Sequence, residues 1–242
     1  MIKSTKSKVV LVTGGSKGLG SALVSRFVFD DKCSVVSCAR HLPAGTVIEN
    51  PSHTFIKADV SKEKEVDRLV SAVLEKHNTI DILVNNVGYG GELEKAWLIS
   101  SEQFKTHWVN NFMSSVWTTR LVLPLMLDKG QGTIVYVSSQ AGKRAVPGVS
   151  AYSASKFALV GFAQAVAKEI SGSGVKVLTV CPAGMNTSMR EELFHDSDKQ
   201  QSVDTVAGII SDVISGVPDL PNGSEILIKD GKIIHVECSR TF

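Results

Sequence analysis

Two side chains four residues apart, Tyr152 and Lys156 in the run YSASK, could do acid–base chemistry. On a helix that spacing puts both on one face. An ammonium beside a phenol favours the phenolate and lowers its pKa. Such a tyrosine becomes a usable proton donor and acceptor near neutral pH, which an unperturbed tyrosine is not. The alternative is a solvated Tyr and Lys on an amphipathic surface, because this spacing is common. Ser139 stands just past an apolar run ending at Val137, where its hydroxyl can reach the same crevice.

A second constellation is TGGSKGLG at 13–20, directly after a Val-rich run. Gly14 permits the tight turn, Gly18 lets backbone approach a pyrophosphate, and Gly20 lets a helix pack on the sheet. The helix start then offers free amides to phosphate. An ordinary glycine-rich strand–helix turn would look the same. Lys17 is followed by Gly18, not by Ser or Thr, so this is not a P-loop. An NAD site calls for an acid about 20 residues further on. The sequence has Arg40 there, flanked by Ala39 and His41. A guanidinium fork suits a 2′-phosphate, and Lys17 adds a second charge, so NADP is expected. Asp59-Val60, after a third apolar run, could reach the adenine.

These residues need elements to hold them. Apolar runs predict strands at Val9–Thr13, Ser34–Cys38, His53–Ala58, Ile80–Val84, Thr133–Val137, Val175–Cys181 and Ser224–Lys229. Uncharged, Val-rich strands indicate burial on both faces, as in a parallel sheet. Helical periodicity covers Leu19–Phe29, Ser61–His77, Ser101–Leu127, Ser150–Ile170 and Val203–Ile214. Ser61 is the expected N-cap of the second helix, and Pro124 is expected to end or kink the third. Loops are expected at Leu42–Ser52, Gly88–Lys95, Ala141–Val149 and Met185–Val203, the last a mobile lid. Alternation of strand and helix gives an α/β fold: a single-domain, Rossmann-like, doubly wound parallel sheet of about seven strands with helices on both faces, spanning 1–242.

Composition narrows the function. The 242 residues carry 26 Lys plus Arg against 24 Asp plus Glu. That balance leaves no electrostatic footprint for nucleic acid or an anionic membrane. No apolar run reaches the length of a membrane span. Cys33, Cys38, Cys181 and Cys238 make no CxxC pair, and the six histidines form no cluster, so no metal is expected. Reduced thiols and the absence of a signal-like apolar segment point to the cytoplasm.

The ordered pieces TGGSKGLG, Asp59-Val60, NNVG at 85–88, Asn110, the serine pair 138–139, YSASK and Pro182 with Thr187 resemble the short-chain dehydrogenase/reductases from about residue 8 to about 230. The resemblance implies roles. Tyr152 gives its proton to a carbonyl oxygen, Lys156 lowers the Tyr152 pKa and bonds the nicotinamide ribose, and Ser139 polarises the carbonyl. Asn110 holds a water that relays protons. Gly14, Ser16, Lys17, Gly18, Leu19, Gly20, Arg40, Asp59, Val60, Asn86, Val87, Gly88, Pro182 and Thr187 contact the cofactor. Ala183-Gly184 departs from the Pro-Gly usual in the family, and SEILIKDG lacks the usual glycine pair after it.

The implied function is an NADPH-dependent reductase of a ketone or 3-oxoacyl thioester, reversible, assembled as a homodimer or homotetramer. The competing reading is an NADP(H)-binding sensor without turnover. Val146, Pro147, Met185, Met189, Leu193 and Phe194 predict an apolar pocket. Lys143, Arg144 and Arg190 are either anion contacts or solvated loop charges.

Overall fold

The computed structural model describes residues 7–41, 50–194 and 200–238. Its centre is one eight-stranded sheet in the order β3-β2-β1-β4-β5-β6-β7-β8. The strands are β1 (Val9–Thr13), β2 (Ser34–Ala39), β3 (His53–Lys57), β4 (Ile82–Asn85), β5 (Gly132–Val137), β6 (Val175–Pro182), β7 (Ser224–Lys229) and β8 (Lys232–Cys238). Seven run parallel, each within a residue or two of its predicted span. Alternate residues of β1 feed opposite cores: Val9 and Leu11 pack with one set of helices, Val10 and Val12 with the other. Each such fully buried aliphatic side chain contributes roughly 1.5–3 kcal/mol. That two-sided burial is why the strand carries no charge.

Helices α1 (Gly18–Ser25) and α7 (Val203–Ile214) cover one face. Helices α2 (Glu63–His77), α4 (Ser114–Lys129) and α5 (Ser150–Glu169) cover the other. On α5 the residues Leu159, Ala163, Val166 and Ala167 recur at helical spacing and are buried. The long third helix is two: α3 (Ser101–Trp108) and α4, joined by a π turn at Val109–Met113. Pro124 neither ends nor breaks α4. Its missing amide would have bonded the carbonyl of Arg120, which is exposed, so water can take that bond. Helix α4 ends instead at Gly130, in the left-handed region.

Three other expectations change. The eighth strand was not anticipated: Asp230 and Gly231, both at positive φ, turn the chain back into an antiparallel hairpin with β7. Ser61 does not cap α2, because its hydroxyl donates to Asp59 Oδ1 at 2.6 Å and the helix starts after Lys62. The Met185–Val203 segment contains a short helix, α6 (Ser188–Phe194). The expected loop at 42–49 and the centre of the expected lid, 195–199, lie outside the described residues. Among the described residues no helix is long and apolar enough to cross a membrane.

Candidate active site

The strand order reverses direction between β1 and β4, and the crevice at their carboxyl ends is where an open parallel sheet binds ligands. A cleft of about 430 Å³ lies there. It is walled by the segments following β1, β2, β3, β4 and β6, together with the end of β5 and the start of α5. The buried Thr13 hydroxyl knits its floor, donating to the Val84 carbonyl at 3.3 Å and accepting from the Asn86 amide at 3.0 Å. Gly14 then turns at φ +71°, and the amides of Gly14 and Gly15 donate to the Cys38 carbonyl. A Cβ on Gly20 would stand 2.1 Å from the Gly14 oxygen, so only glycine fits. Gly18, at φ +54°, lies under the Thr187 methyl.

Asn86 braces this turn instead of reaching outward. Its Nδ2 donates to the carbonyls of Thr13 and Gly14 at 3.1 and 3.2 Å. At the far end of the cleft, Lys17, Arg40 and His41 are exposed on its wall. Asp59 is nearby with its carboxylate engaged by the Ser61 amide and hydroxyl. Burial pushes that carboxyl up, but the Ser61 bonds with Lys62 and Arg40 outweigh it and hold it below the usual carboxylate range.

At the other end, Tyr152 and Lys156 share a face of α5 as their spacing requires. Lys156 Nζ lies 5.9 Å from the Tyr152 ring centroid. Lys156 is 3% exposed and donates to the Val137 carbonyl at 2.9 Å. Burial in this apolar setting pulls its ammonium down to about 8, with Cys181 opposing slightly. The expected lowering at Tyr152 is not the direction found. Burial pushes the phenol up, a hydrogen bond with Ser139 pulls it down, and Cys181 adds a small upward push. Burial is the larger effect, and the Lys156 ammonium, which donates to the Val137 carbonyl, does not offset it.

Ser139 caps a 3-10 turn at Gln140–Gly142, its Oγ accepting from the Ala141 amide at 3.1 Å. Sequence reasoning passed over its neighbour Ser138, which is on the cleft wall and donates to the Lys156 carbonyl at 3.1 Å. Gly142 makes that contact possible, since a Cβ there would meet Ser138 Oγ at 2.5 Å. Gly88 is a meeting point: Asn111 Oδ1, Lys156 Nζ and Met189 Cε all lie 3.7 Å from where its Cβ would be. Asn110 and Asn111 occupy the π turn, where the regular helical ladder is interrupted. Asn110 lines the cleft, but its Nδ2 turns back to the Thr106 carbonyl. Asn111 is fully buried and clasps Tyr89, accepting from its amide at 2.6 Å and donating to its carbonyl at 3.0 Å.

Of the expected cofactor contacts, Gly14, Ser16, Lys17, Gly18, Leu19, Gly20, Arg40, Asp59, Val60, Asn86, Val87, Gly88, Tyr152, Lys156 and Thr187 are on the cleft wall. Pro182 is not; it ends β6, paired with Ile228. Ser139 does not line this cleft either, although its hydroxyl is close enough to the Tyr152 phenol to draw that group's pKa down. Two of the three loop cations make contacts within the fold, and Arg144 is exposed. Lys143 pairs with the buried Glu225 and, at 2.8 Å, with Glu237 on β8. The Arg190 guanidinium lies on Gly184, with Cζ 2.7 Å from where a Cβ would be, which accounts for the glycine there. The expected apolar pocket is only partly found. Met185 and Met189 line the main cleft, Val146 and Pro147 do not, and the side chains of Leu193 and Phe194 lie outside the described residues. A second cavity of about 200 Å³, sharing Tyr89 and Tyr152 with the first, has a mixed wall in which Glu92, Glu94, Gln103, His107 and Ser150 stand beside Ile99, Val149 and Ala151.

Residues 8–198 match the model of the family described as short chain dehydrogenase. The chain is 34% identical over 196 residues to an NADPH-dependent pterin aldehyde reductase of Arabidopsis thaliana, covering 79% of this chain and 80% of that one. It is 35% identical over 197 residues to a 2-(R)-hydroxypropyl-CoM dehydrogenase of Xanthobacter autotrophicus, covering 76% and 77%. Among solved structures it is similar to a 3-ketoacyl-(acyl-carrier-protein) reductase from Brucella melitensis complexed with NADH. There the TM-score is 0.84 at 25% identity, over 91% of this chain and 96% of that one.

Proposed function

We propose that this chain, which belongs to the short chain dehydrogenase family of oxidoreductases, reduces a small carbonyl compound to an alcohol, reversibly, with NADPH. The observation that carries the reading is the pairing of Tyr152 with a buried Lys156 in a cleft that also contains the glycine turn. The cleft fits the dinucleotide. Gly14 and Gly18 turn at positive φ, Gly20 packs with no room for a Cβ against the Gly14 oxygen, and helix α1 starts without a side-chain cap on its amides. Arg40 and Lys17 are exposed at the end where a 2′-phosphate would lie, which favours NADPH over NADH.

NADPH, when bound, supplies the hydride. The chain supplies the rest. The Tyr152 hydroxyl donates its proton to the substrate's carbonyl oxygen, and the Ser139 hydroxyl, which acts on the same phenol, steadies that oxygen as charge develops. Lys156 places a positive charge beside the phenol that is left ionised. For the proton relay expected of Asn110, the adjacent Asn111 is better placed, because its side chain meets Gly88 beside Lys156 Nζ.

The test is NADPH oxidation over a panel of aldehydes and ketones with wild type and Tyr152→Phe. The wild type turns over at least one, and the variant loses about 10²-fold or more in kcat. Equal rates overturn the role of Tyr152. NADPH binding with no turnover of any carbonyl replaces the reductase with a cofactor-binding protein.

A further inference from the structure

The second cavity has its own chemistry. It shares Tyr89 and Tyr152 with the cofactor cleft, so a molecule whose carbonyl meets Tyr152 has its body directed toward it. Glu92, Glu94, Gln103 and His107 supply oxygen and nitrogen atoms where an apolar wall was expected. His107 is 6% exposed, its ring 5.0 Å from that of Tyr89 and 6.4 Å, edge-on, from that of Tyr152. Gly91, at φ +72°, lets this imidazole in, since a Cβ would come within 2.5 Å of Nε2. Burial pushes the imidazole pKa down against a bond to the Tyr89 backbone, so the ring is neutral at pH 7.

The two carboxylates are not neutralised. Among the described residues neither Glu92 nor Glu94 is in an ion pair. Glu94 Oε1 accepts from the Lys95 amide, but the Lys95 ammonium stands over the Trp97 ring at 5.5 Å. One of the loop cations expected to meet an anion, Lys143, is held by Glu225 and Glu237. The cavity therefore presents acceptors and negative charge, and at about 200 Å³ it is below the roughly 300–1,000 Å³ of drug-sized sites.

We infer that this cavity is a specificity site that selects a small carbonyl compound whose body carries hydroxyl or amino donors, over bare aliphatic ketones and anionic acyl thioesters. The inference rests on the reductase reading for the position of the carbonyl, and on the Glu92–Glu94–His107 wall for the substrate class.

The test uses three matched ketones, cyclohexanone, 4-hydroxycyclohexanone and 4-aminocyclohexanone, with acetoacetyl-CoA, anionic through its phosphates, as the comparison. Initial rates with NADPH are measured for wild type, Glu92→Gln and Glu94→Gln. The donor-bearing ketones should have kcat/KM about tenfold or more above cyclohexanone, carried by KM. At least one variant should bring that ratio toward unity while leaving cyclohexanone unchanged. Equal kcat/KM across the ketones, a preference for cyclohexanone or the thioester, or a ratio untouched in both variants overturns the inference while the reductase reading stands. Calorimetric binding of the three ketones, with and without NADP, separates the two readings. If no carbonyl turns over, the reductase reading falls. Tighter binding of the donor-bearing ketones, reduced in Glu92→Gln or Glu94→Gln, still supports the cavity's selectivity, and equal or absent binding ends it.

Discussion

Replacing Lys156 by Met should change how stability depends on pH. An unfolded lysine titrates at 10.5, and burial brings the folded one to about 8. That difference is worth about 3 kcal/mol. The sign follows from proton counting: between about pH 8 and pH 10.5 the unfolded chain binds the proton more tightly than the folded one, so raising pH favours folding. The burden on the fold is complete below the folded pKa and fades as pH climbs to the unfolded value. From about pH 7 to about pH 9.5 the wild type should gain about 2 kcal/mol from this group alone. Lys156→Met removes that gain. It also deprives the Val137 carbonyl of its donor at 2.9 Å, a loss of about 1–3 kcal/mol that does not depend on pH. The decisive quantity is thus the slope and not the stability at one pH. Denaturant unfolding of both proteins across this range measures it, and the other titrating groups cancel in the comparison. Parallel curves would refute the claim that the buried amine is held near the edge of ionisation.

Three further outcomes follow from single contacts. Arg40→Ala should weaken NADPH binding about tenfold or more by calorimetry and leave NADH nearly unchanged, and an equal loss for both would remove Arg40 from the phosphate. Lys143→Ala leaves the Glu225 carboxylate, 3% exposed, without its cation, and should lower unfolding stability by about 3 kcal/mol, whereas a loss under about 1 kcal/mol would mean the pair is idle. Gly20→Ala puts a Cβ 2.1 Å from the Gly14 oxygen, so the turn must move, lowering Tm and weakening NADPH about tenfold or more, and unchanged binding would contradict the close approach.

What sequence could reveal here depended on how local the cause was. The parallel strands were legible because burial on both faces removes charge from a run, as in VVLVT of β1. The glycine turn and Tyr152–Lys156 were legible because each is a short spacing with a geometric reason. The hairpin into β8 was also legible in principle: Asp230-Gly231 between apolar-bearing runs is a strong turn signal, overlooked because the resemblance ends at about 230. Ser138 carried no signal apart from Ser139. Both lie past the end of β5, where the chain enters the 3-10 turn that Ser139 caps, so the strand period no longer applies and only the placed backbone says which meets the cleft.

The electrostatics of the site belonged to a different category. Proximity of Lys156 to Tyr152 follows from helical spacing, but the direction of each pKa depends on what else the groups touch and how deeply they are buried. Lys156 bonds the Val137 carbonyl, a contact between residues far apart in sequence. The same is true of the second cavity, where Glu92 and Glu94, from the segment after β4, meet Gln103 and His107 of α3 and Tyr152 of α5. Reading apolar residues from single loops predicted a hydrophobic pocket. Tertiary assembly made a mixed one, because the His107 ring enters through the space left by Gly91. The substrate's character is therefore set by contacts across three segments, and a change at Gly91 should alter selectivity as much as a change at Glu94. Gly91→Ala, which must displace the imidazole, is expected to reduce the preference for donor-bearing ketones while Lys156 and the glycine turn keep NADPH binding intact. A Gly91→Ala protein that retains both the preference and its KM values would show that His107 is only a packing residue.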